Sequence, residues 1–464
     1  MKTLLDSPAA LGPGLAQLRA EFQVPAAFPP AVIAAADAAV QRVPDEHVDR
    51  TDLPFVTLDP AASTDLDQAF TIEALGASGG ADLLLRYAIA DVAWFVRDGD
   101  PLDVEAWARG ETLYLPDGKA PLYPPQLSEA AASLLPGGPR PAVVFAVRVA
   151  PDGTATLDGV ERALIRSRAK LAYETVADAD LPAGFVDFAA RVTAAEDRRG
   201  AARVDPPEQE VARTADGGYT LAFRPLLPAE DRNAALSLAT NLAVAQALQA
   251  HGTGLFRVMA APDNRAVARL RHSAAALGLD WSPAQSLADF QRGLRGDVPR
   301  EAAFMVAIRR AGQGAGYAPY RPGVIPWHAA VAATYCHATA PLRRLADRYV
   351  VQAALAVASG RAVPDGVTAA FERLPAVMAR ADALASRVTR AVVDLAEAVV
   401  LAPAAGQTFA ATVTDVDDHG ARIQLADPAV VARVPDKGVV PGASVTVRLT
   451  DADPIRRQVT FALI

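Results

Sequence analysis

The sequence predicts an α+β protein with three parts: a large mixed domain over residues 51–403, a small all-β barrel of OB type over 404–464, and a short helical module over 1–50. Three observations carry this reading. From about 51 to 160, apolar runs of strand length alternate with Gly, Asp and Pro. From about 170 to 400, apolar residues recur at helical spacing, and after Leu401-Ala402-Pro403-Ala404-Ala405-Gly406 the spacing drops to two. With 464 residues and 51% apolar content the chain can bury a substantial core. No apolar run of about 18 residues is free of charge, which argues against a membrane span. The start Met1-Lys2-Thr3-Leu4-Leu5-Asp6 meets charge too early for a secretory signal, so a cytoplasmic protein is expected. A single cysteine, Cys336, excludes an intrachain disulfide and a Cys-based zinc site. The net charge of -8 argues against indiscriminate coating of nucleic acid while leaving room for a local basic channel.

Each element has its own signal. Leu11, Leu15, Leu18 and Phe22, then a Pro-punctuated break and an apolar run over 32–40, predict two helices joined by a turn. A helix-turn-helix contact with nucleic acid is one reading, but the second helix has almost no Arg or Lys, which favours a packing hairpin. Strands are predicted over 55–58, 69–72, 83–96 with interruptions, and 143–149. In the segment 164–170, Arg166, Arg168 and Lys170 fall at period two, so one strand face is expected to be basic. Such a row is either solvated or able to track a phosphate backbone. Helices follow over 233–250, 266–277 and 349–359. Tyr335-Cys336-His337-Ala338-Thr339-Ala340-Pro341-Leu342-Arg343-Arg344 reads as a helix opening, with Thr339 as N-cap and Pro341 in the first turn. Arg343 and Arg344 there suit an anion; the alternative is an Arg343 to Asp347 pair on a surface helix. Five short strands close the chain at 409–413, 421–425, 430–434, 445–449 and 459–463.

Asp59, Asp65 and Asp67 fall within nine positions, directly after the strand run 54–58. Asp65 and Asp67, two apart, share a side if the backbone is extended, and a bend at Pro60 could bring Asp59 towards them. Converging carboxylates suit a hard cation such as Mg²⁺, although the same residues alone also describe a solvated acidic turn. His328 and His337 have no companion at metal-ligand spacing and read as structural histidines.

Taken in order, these segments resemble the ribonuclease II and ribonuclease R family of 3′-to-5′ exoribonucleases, whose catalytic module is the RNB domain. The resemblance rests on Phe55-Val56-Thr57-Leu58-Asp59 with Ser63-Thr64-Asp65-Leu66-Asp67, Ile89-Ala90-Asp91-Val92-Ala93, and Leu102 to Gly110 with Tyr114-Leu115-Pro116. It continues through Leu127-Ser128, Ser167-Arg168-Ala169-Lys170-Leu171-Ala172-Tyr173, Leu238-Ala239-Thr240-Asn241 and Thr339-Ala340-Pro341-Leu342-Arg343-Arg344, and the last segment is similar to the family's S1-type barrel. It covers about residues 20–464.

The resemblance implies Mg²⁺ held by Asp59, Asp65, Asp67 and Gln68, with Asp65, Asp67 and Arg343 catalytic. Tyr114, Arg343 and Arg344, and more weakly Arg390, would bind single-stranded RNA; the Arg166, Arg168 and Lys170 face becomes a candidate wall of the RNA channel, since the resemblance fixes that strand and not its contacts; a monomer is expected. Gln68 stands where the family has a fourth carboxylate, Ala340 where it commonly has Ser, and Thr389 where it often has Glu. The family's tandem cold-shock domains have no counterpart in the first 50 residues, so the channel entrance is expected to differ. The barrel's aromatics, Phe409 and Phe461, sit at core positions, so RNA contacts there are expected to rest on charge, with Arg422, Lys437 and Arg448 as candidates. Two other functions stay open: an RNB-scaffold RNA-binding protein with weak or no catalysis, and a nuclease preferring DNA.

Overall fold

The computed structural model describes residues 3–5, 8–76, 80–201, 208–214, 217–224, 226–296, 298–312, 314–417, 419–436 and 438–464. A strand, β1 (Thr3–Leu5), and two helices, α1 (Pro8–Glu21) and α2 (Pro30–Ala39), come first. The main sheet is then laid down by β2 (Val48–Asp49), β3 (Phe55–Asp59), β4 (Gln68–Ala74) and β5 (Leu83–Ala90). Where a strand was expected to run on to residue 96, the chain turns instead into a short helix, α3 (Val92–Phe95), because the Asp91 carboxylate accepts from the Trp94 N–H and caps it. Helix α4 (Pro101–Arg109) and a hairpin, β6 (Leu113–Leu115) with β7 (Gly118–Ala120), precede the last sheet strands β8 (Arg140–Val149), β9 (Ala155–Ile165) and β10 (Ser167–Ala172).

The seven strands lie in the order β10-β3-β4-β5-β8-β9-β2, antiparallel except for the β10-β3 and β2-β9 pairs. The expected single strand over 164–170 is therefore two strands. β9 stops at Ile165, Arg166 bends, and β10 pairs with β3 at the far end of the strand order. One residue joins strands at opposite sides of the order, so the sheet must curl round on itself, and the bend interrupts the basic row.

Helix α5 (Phe185–Arg199), strands β11 (Glu208–Arg213) and β12 (Tyr219–Arg224), and helix α6 (Pro228–Ala250) follow. Next come β13 (Leu255–Met259), α7 (Asn264–Ala276), α8 (Leu287–Gln291), α9 (Pro299–Ala311), β14 (Ala315–Pro319), β15 (Trp327–His328) and β16 (Ala333–Thr334). Helix α10 (Leu345–Ala358) starts later than the expected Thr339 cap. Thr339 is buried, the turn at Pro341 is not helical, and Arg344 occupies the N-cap position. The longest helix, α11 (Asp365–Leu401), falls within the region of helical spacing read over about 170–400, although its own bounds were not singled out there.

The five closing strands appear where period two placed them: β17 (Thr408–Asp417), β18 (Gly420–Leu425), β19 (Val431–Val434), β20 (Ser444–Asp453) and β21 (Gln458–Leu463). They pair antiparallel in the order β19-β18-β17-β20-β21 and form a nearly closed barrel. Phe461 is buried and meets Phe409 edge to face at 6.1 Å, so both rings are barrel core.

One apolar core joins the main sheet to α2, α6, α10 and the first half of α11. A second joins α1, the second half of α11 and the barrel, so apolar packing crosses the backbone junction near residue 404. The two N-terminal helices thus belong to different cores. Helix α1 is pressed so closely on α11 that a Cβ on Gly14 would lie 2.7 Å from Leu395. Among the described residues, no helix is long and apolar enough to cross a membrane.

Candidate active site

Strand β3 lies between β10 and β4, and Asp59 is its last residue. The loop to β4 is held by its one buried apolar side chain, Leu66. The Leu66 N–H donates to Ser133 Oγ at 2.9 Å and its carbonyl accepts from the Leu134 N–H at 2.9 Å. Ser133 Oγ in turn donates to the Thr64 carbonyl at 2.7 Å. With Leu66 anchored inward, Asp65 and Asp67 project to the other side, as their spacing of two implies. Asp59, Asp65, Asp67, Gln68, Tyr114, Arg343 and Arg344 line a single pocket of about 670 Å³.

The opposite wall is the non-helical segment from Ala338 to Leu342, which turns at Pro341 and whose alternate amides are each bound by a side chain from elsewhere. The Ala338 N–H donates to Asn241 Oδ1 at 2.9 Å, Ala340 to Asp347 Oδ1 at 2.8 Å, and Leu342 to Asp67 Oδ1 at 2.7 Å. Such fixed amides set the backbone from which Arg343 springs. Its guanidinium is about half exposed, with Nε 3.6 Å from Asp67 Oδ2: close enough to feel the carboxylate, too far to bond it. Arg344 differs. Its guanidinium pairs with Asp347 through contacts of 3.0 and 2.8 Å, so the surface pair imagined for Arg343 is made by its neighbour, largely buried.

The acids are not equivalent. Asp65 gives one oxygen to Lys119 Nζ at 2.7 Å and the other to the Tyr114 hydroxyl at 3.2 Å. Tyr114 is otherwise 54% exposed and offers a ring face beside the acids. Gln68 donates its Nε2 to the Thr339 carbonyl at 2.7 Å, while its Oε1 accepts a short bond from the Tyr87 hydroxyl and lies 3.5 Å from Ser237 Oγ. Burial pushes the Asp59 carboxyl up to about 7 and the Asp67 carboxyl up to about 8, with Arg343 opposing both.

Arg166, Arg168 and Lys170 do not line the pocket. Arg168 donates to the Thr51 and Asp52 carbonyls at 2.7 and 3.2 Å, and Lys170 to the Ala61 carbonyl at 2.8 Å, so Lys170 steadies the acidic loop from behind. Arg390 is remote too. It stands on α11 near Asp394, Glu397 and the barrel's half-buried Arg422. Arg448 is exposed on β20, and Lys437 lies outside the described residues. His328 and His337 sit among Tyr317 and Tyr335, with the Tyr317 hydroxyl 2.8 Å from His337 Nδ1, which suits structural histidines. Sequence reasoning missed Lys119, Tyr87 and Ser237. No spacing signal marks them, because each meets its partner only across the fold.

Among the described residues, no group of three or more His, Cys, Asp or Glu side chains is gathered tightly enough to hold an ion as it stands. The donor chemistry nevertheless fits a hard divalent cation at Asp59, which is partly buried, and Asp67, which is buried, two carboxyls whose ionisation desolvation opposes. A stability test follows. Their raised values mean that the folded, metal-free protein binds protons more tightly than the unfolded chain. Folding is therefore favoured at low pH and loses on the order of several kcal/mol as pH rises from the ordinary carboxylate range through 7 to 8. The Tm increase on adding Mg²⁺ should accordingly be small at pH 5.5 and large at pH 8.5. An equal increase at both, measured by calorimetry, would contradict it.

Comparison with known proteins defines the class. Residues 47–180 match the family profile of the RNB domain, and residues 407–464 match that of the RNase II-type exonuclease C-terminal S1 domain. The chain therefore carries an RNB domain and an RNase II-type C-terminal S1 domain. It is 29% identical over 427 residues to "Exoribonuclease 2" of Cronobacter sakazakii, covering 86% of this chain and 65% of that protein. It is 42% identical over 135 residues to "Exoribonuclease 2" of Erwinia tasmaniensis, covering 29% of this chain and 20% of that protein. The chain thus spans about two thirds of the first relative's length and a fifth of the second's. Its fold is that of Mycoplasma genitalium RNase R, solved with ribose-methylated single-stranded RNA: TM-score 0.85 at 19% identity, over 99% of this chain and 79% of that one. The same fold also occurs in yeast Ssd1, described as a pseudonuclease, at TM-score 0.67 and 16% identity over 93% of this chain and 56% of that one.

Proposed function

We propose that the chain is a Mg²⁺-dependent hydrolytic 3′-to-5′ exoribonuclease that degrades single-stranded RNA to nucleoside 5′-monophosphates, acting as a monomer in the cytoplasm. The observation that carries this reading is the meeting of Asp59, Asp65 and Asp67 with Arg343 and Tyr114 in one pocket. A bound Mg²⁺ would supply Lewis-acid polarisation of the scissile phosphate and a more acidic water. The protein's own groups do the rest. Asp59 and Asp67 provide oxygens for the ion, and the Arg343 guanidinium faces the phosphate oxygens, where its fork neutralises charge that develops in the transition state. The Tyr114 ring offers a stacking face for the terminal base, which suits a degrader indifferent to sequence.

The test is digestion of a 5′-labelled RNA with Mg²⁺. A descending ladder ending in a very short oligomer is the expected result, and intact RNA throughout would overturn it. A matched DNA strand run beside it decides whether the 2′-OH is recognised. A second reading, an RNA-binding protein that keeps the scaffold without catalysis, is favoured by the amide at Gln68 and the lysine on Asp65. Retained RNA binding with no ladder is its signature.

A further inference from the structure

The hairpin that carries Tyr114 brings a second side chain to the acids. Tyr114 and Lys119 are direct cross-strand partners, so they stand on the same face of the β6-β7 ribbon, and both reach Asp65. The Lys119 ammonium bonds Asp65 Oδ1 at 2.7 Å and Glu129 Oε1 at 3.1 Å, while Glu129 Oε2 accepts from Thr64 Oγ1 at 2.9 Å. These three charged side chains are between 11% and 28% exposed, and the ribbon is itself tied down by Arg19, whose guanidinium bonds both oxygens of Asp117 at 3.0 and 2.8 Å. Lys119 is thus a held cation rather than a solvated one. Both Asp65 oxygens are already in use, one by an ammonium.

The fourth motif position is withdrawn in another way. The Gln68 amide nitrogen, which cannot ligate a cation, points at the Thr339 carbonyl, and its oxygen serves Tyr87. That leaves Asp59 and Asp67. Among the described residues neither has a side-chain cation at hydrogen-bonding distance, Arg343 Nε being 3.6 Å from Asp67.

We propose that the acidic pocket takes one divalent cation, at Asp59 and Asp67, because Lys119 stands as a built-in ammonium at Asp65 where a second cation would need to sit, and Gln68 is committed to holding the wall segment. Gln68 is then a positioning residue, joining the start of β4 to the segment that presents Arg343. The inference rests on the reading of this pocket as a cation site, but its outcome is separable from nuclease activity.

The test counts ions on the whole chain, using Mn²⁺ alone, by calorimetry and by paramagnetic resonance of the free ion. Wild type should bind one Mn²⁺. K119M, which keeps the stem and removes the charge, should admit a second, and K119R should stay at one. Two ions on wild type, or one ion on K119M whose circular dichroism matches wild type, would overturn the proposal; K119Q takes the same measurement if K119M does not fold. A wild type that degrades RNA with two ions bound loses this inference and keeps the proposed function. A wild type that binds one ion and leaves RNA intact does the reverse.

Discussion

Asp67→Asn should stop nucleotide release while the protein still holds RNA. Asp67 is only 6% exposed, accepts from the Leu342 N–H at 2.7 Å and lies beside Arg343, so it belongs to the acid loop, the wall segment and the pocket at once. Asparagine has nearly the same shape. With its Oδ1 kept on the Leu342 amide, the wall stays in place and only the negative charge is lost. Removing one oriented charge from a preorganised site lowers kcat by roughly 10³-fold, and here the same change also weakens cation binding. Single-turnover digestion of a labelled RNA measures the loss, and a gel shift on the same strand measures retention. Undiminished turnover would refute the assignment of Asp67. Lost retention together with lost turnover would mean that the variant disrupts the wall and not the chemistry alone.

Arg343→Ala is the second large effect. The wild-type guanidinium is half exposed and unbonded, held near Asp67 at 3.6 Å, which is the condition of a group kept for a ligand. Its neighbour Arg344, paired with Asp347, is the contrasting case of a structural arginine. Removal of Arg343 should cost about 10²-fold to 10³-fold in kcat with a smaller change in KM, because its contacts gain most where phosphate charge builds up. Arg343→Lys should recover only part, since an ammonium keeps the charge and loses the two-pronged geometry. The pair Asp67→Asn with Arg343→Ala should cost little more than the worse single change, as groups acting on one phosphate are not additive. Equal kcat in wild type and Arg343→Ala would remove this residue from the chemistry.

Much of this was legible locally. The acids' spacing placed Asp65 and Asp67 on one side of Leu66, and the order of motifs placed Tyr114 and Arg343 in the same site. The helix opening at Thr339 was misjudged, because Pro341 suits a first helical turn by itself, while Asn241, Asp347 and Asp67 take the segment's amides and leave it as a turn that precedes the helix. The basic row failed for a related reason. Period two assumes a straight strand, and the bend at Arg166 is imposed by a sheet that curls until β9 can run into β10 beside β3.

The sequence by itself determined the α+β class, the five barrel strands and the placing of Asp65 and Asp67 on one side of Leu66, since each is written in spacings of a few residues. The tertiary structure alone decided what the acids face. Gln68 meets Thr339 across 271 positions and Asp67 meets Leu342 across 275, while Lys119 reaches Asp65 only because a hairpin folds back over the loop. Contacts at such separations leave no periodic trace. They depend on which surfaces pack together, and at this site they decide whether a carboxylate is free for a cation or already has one.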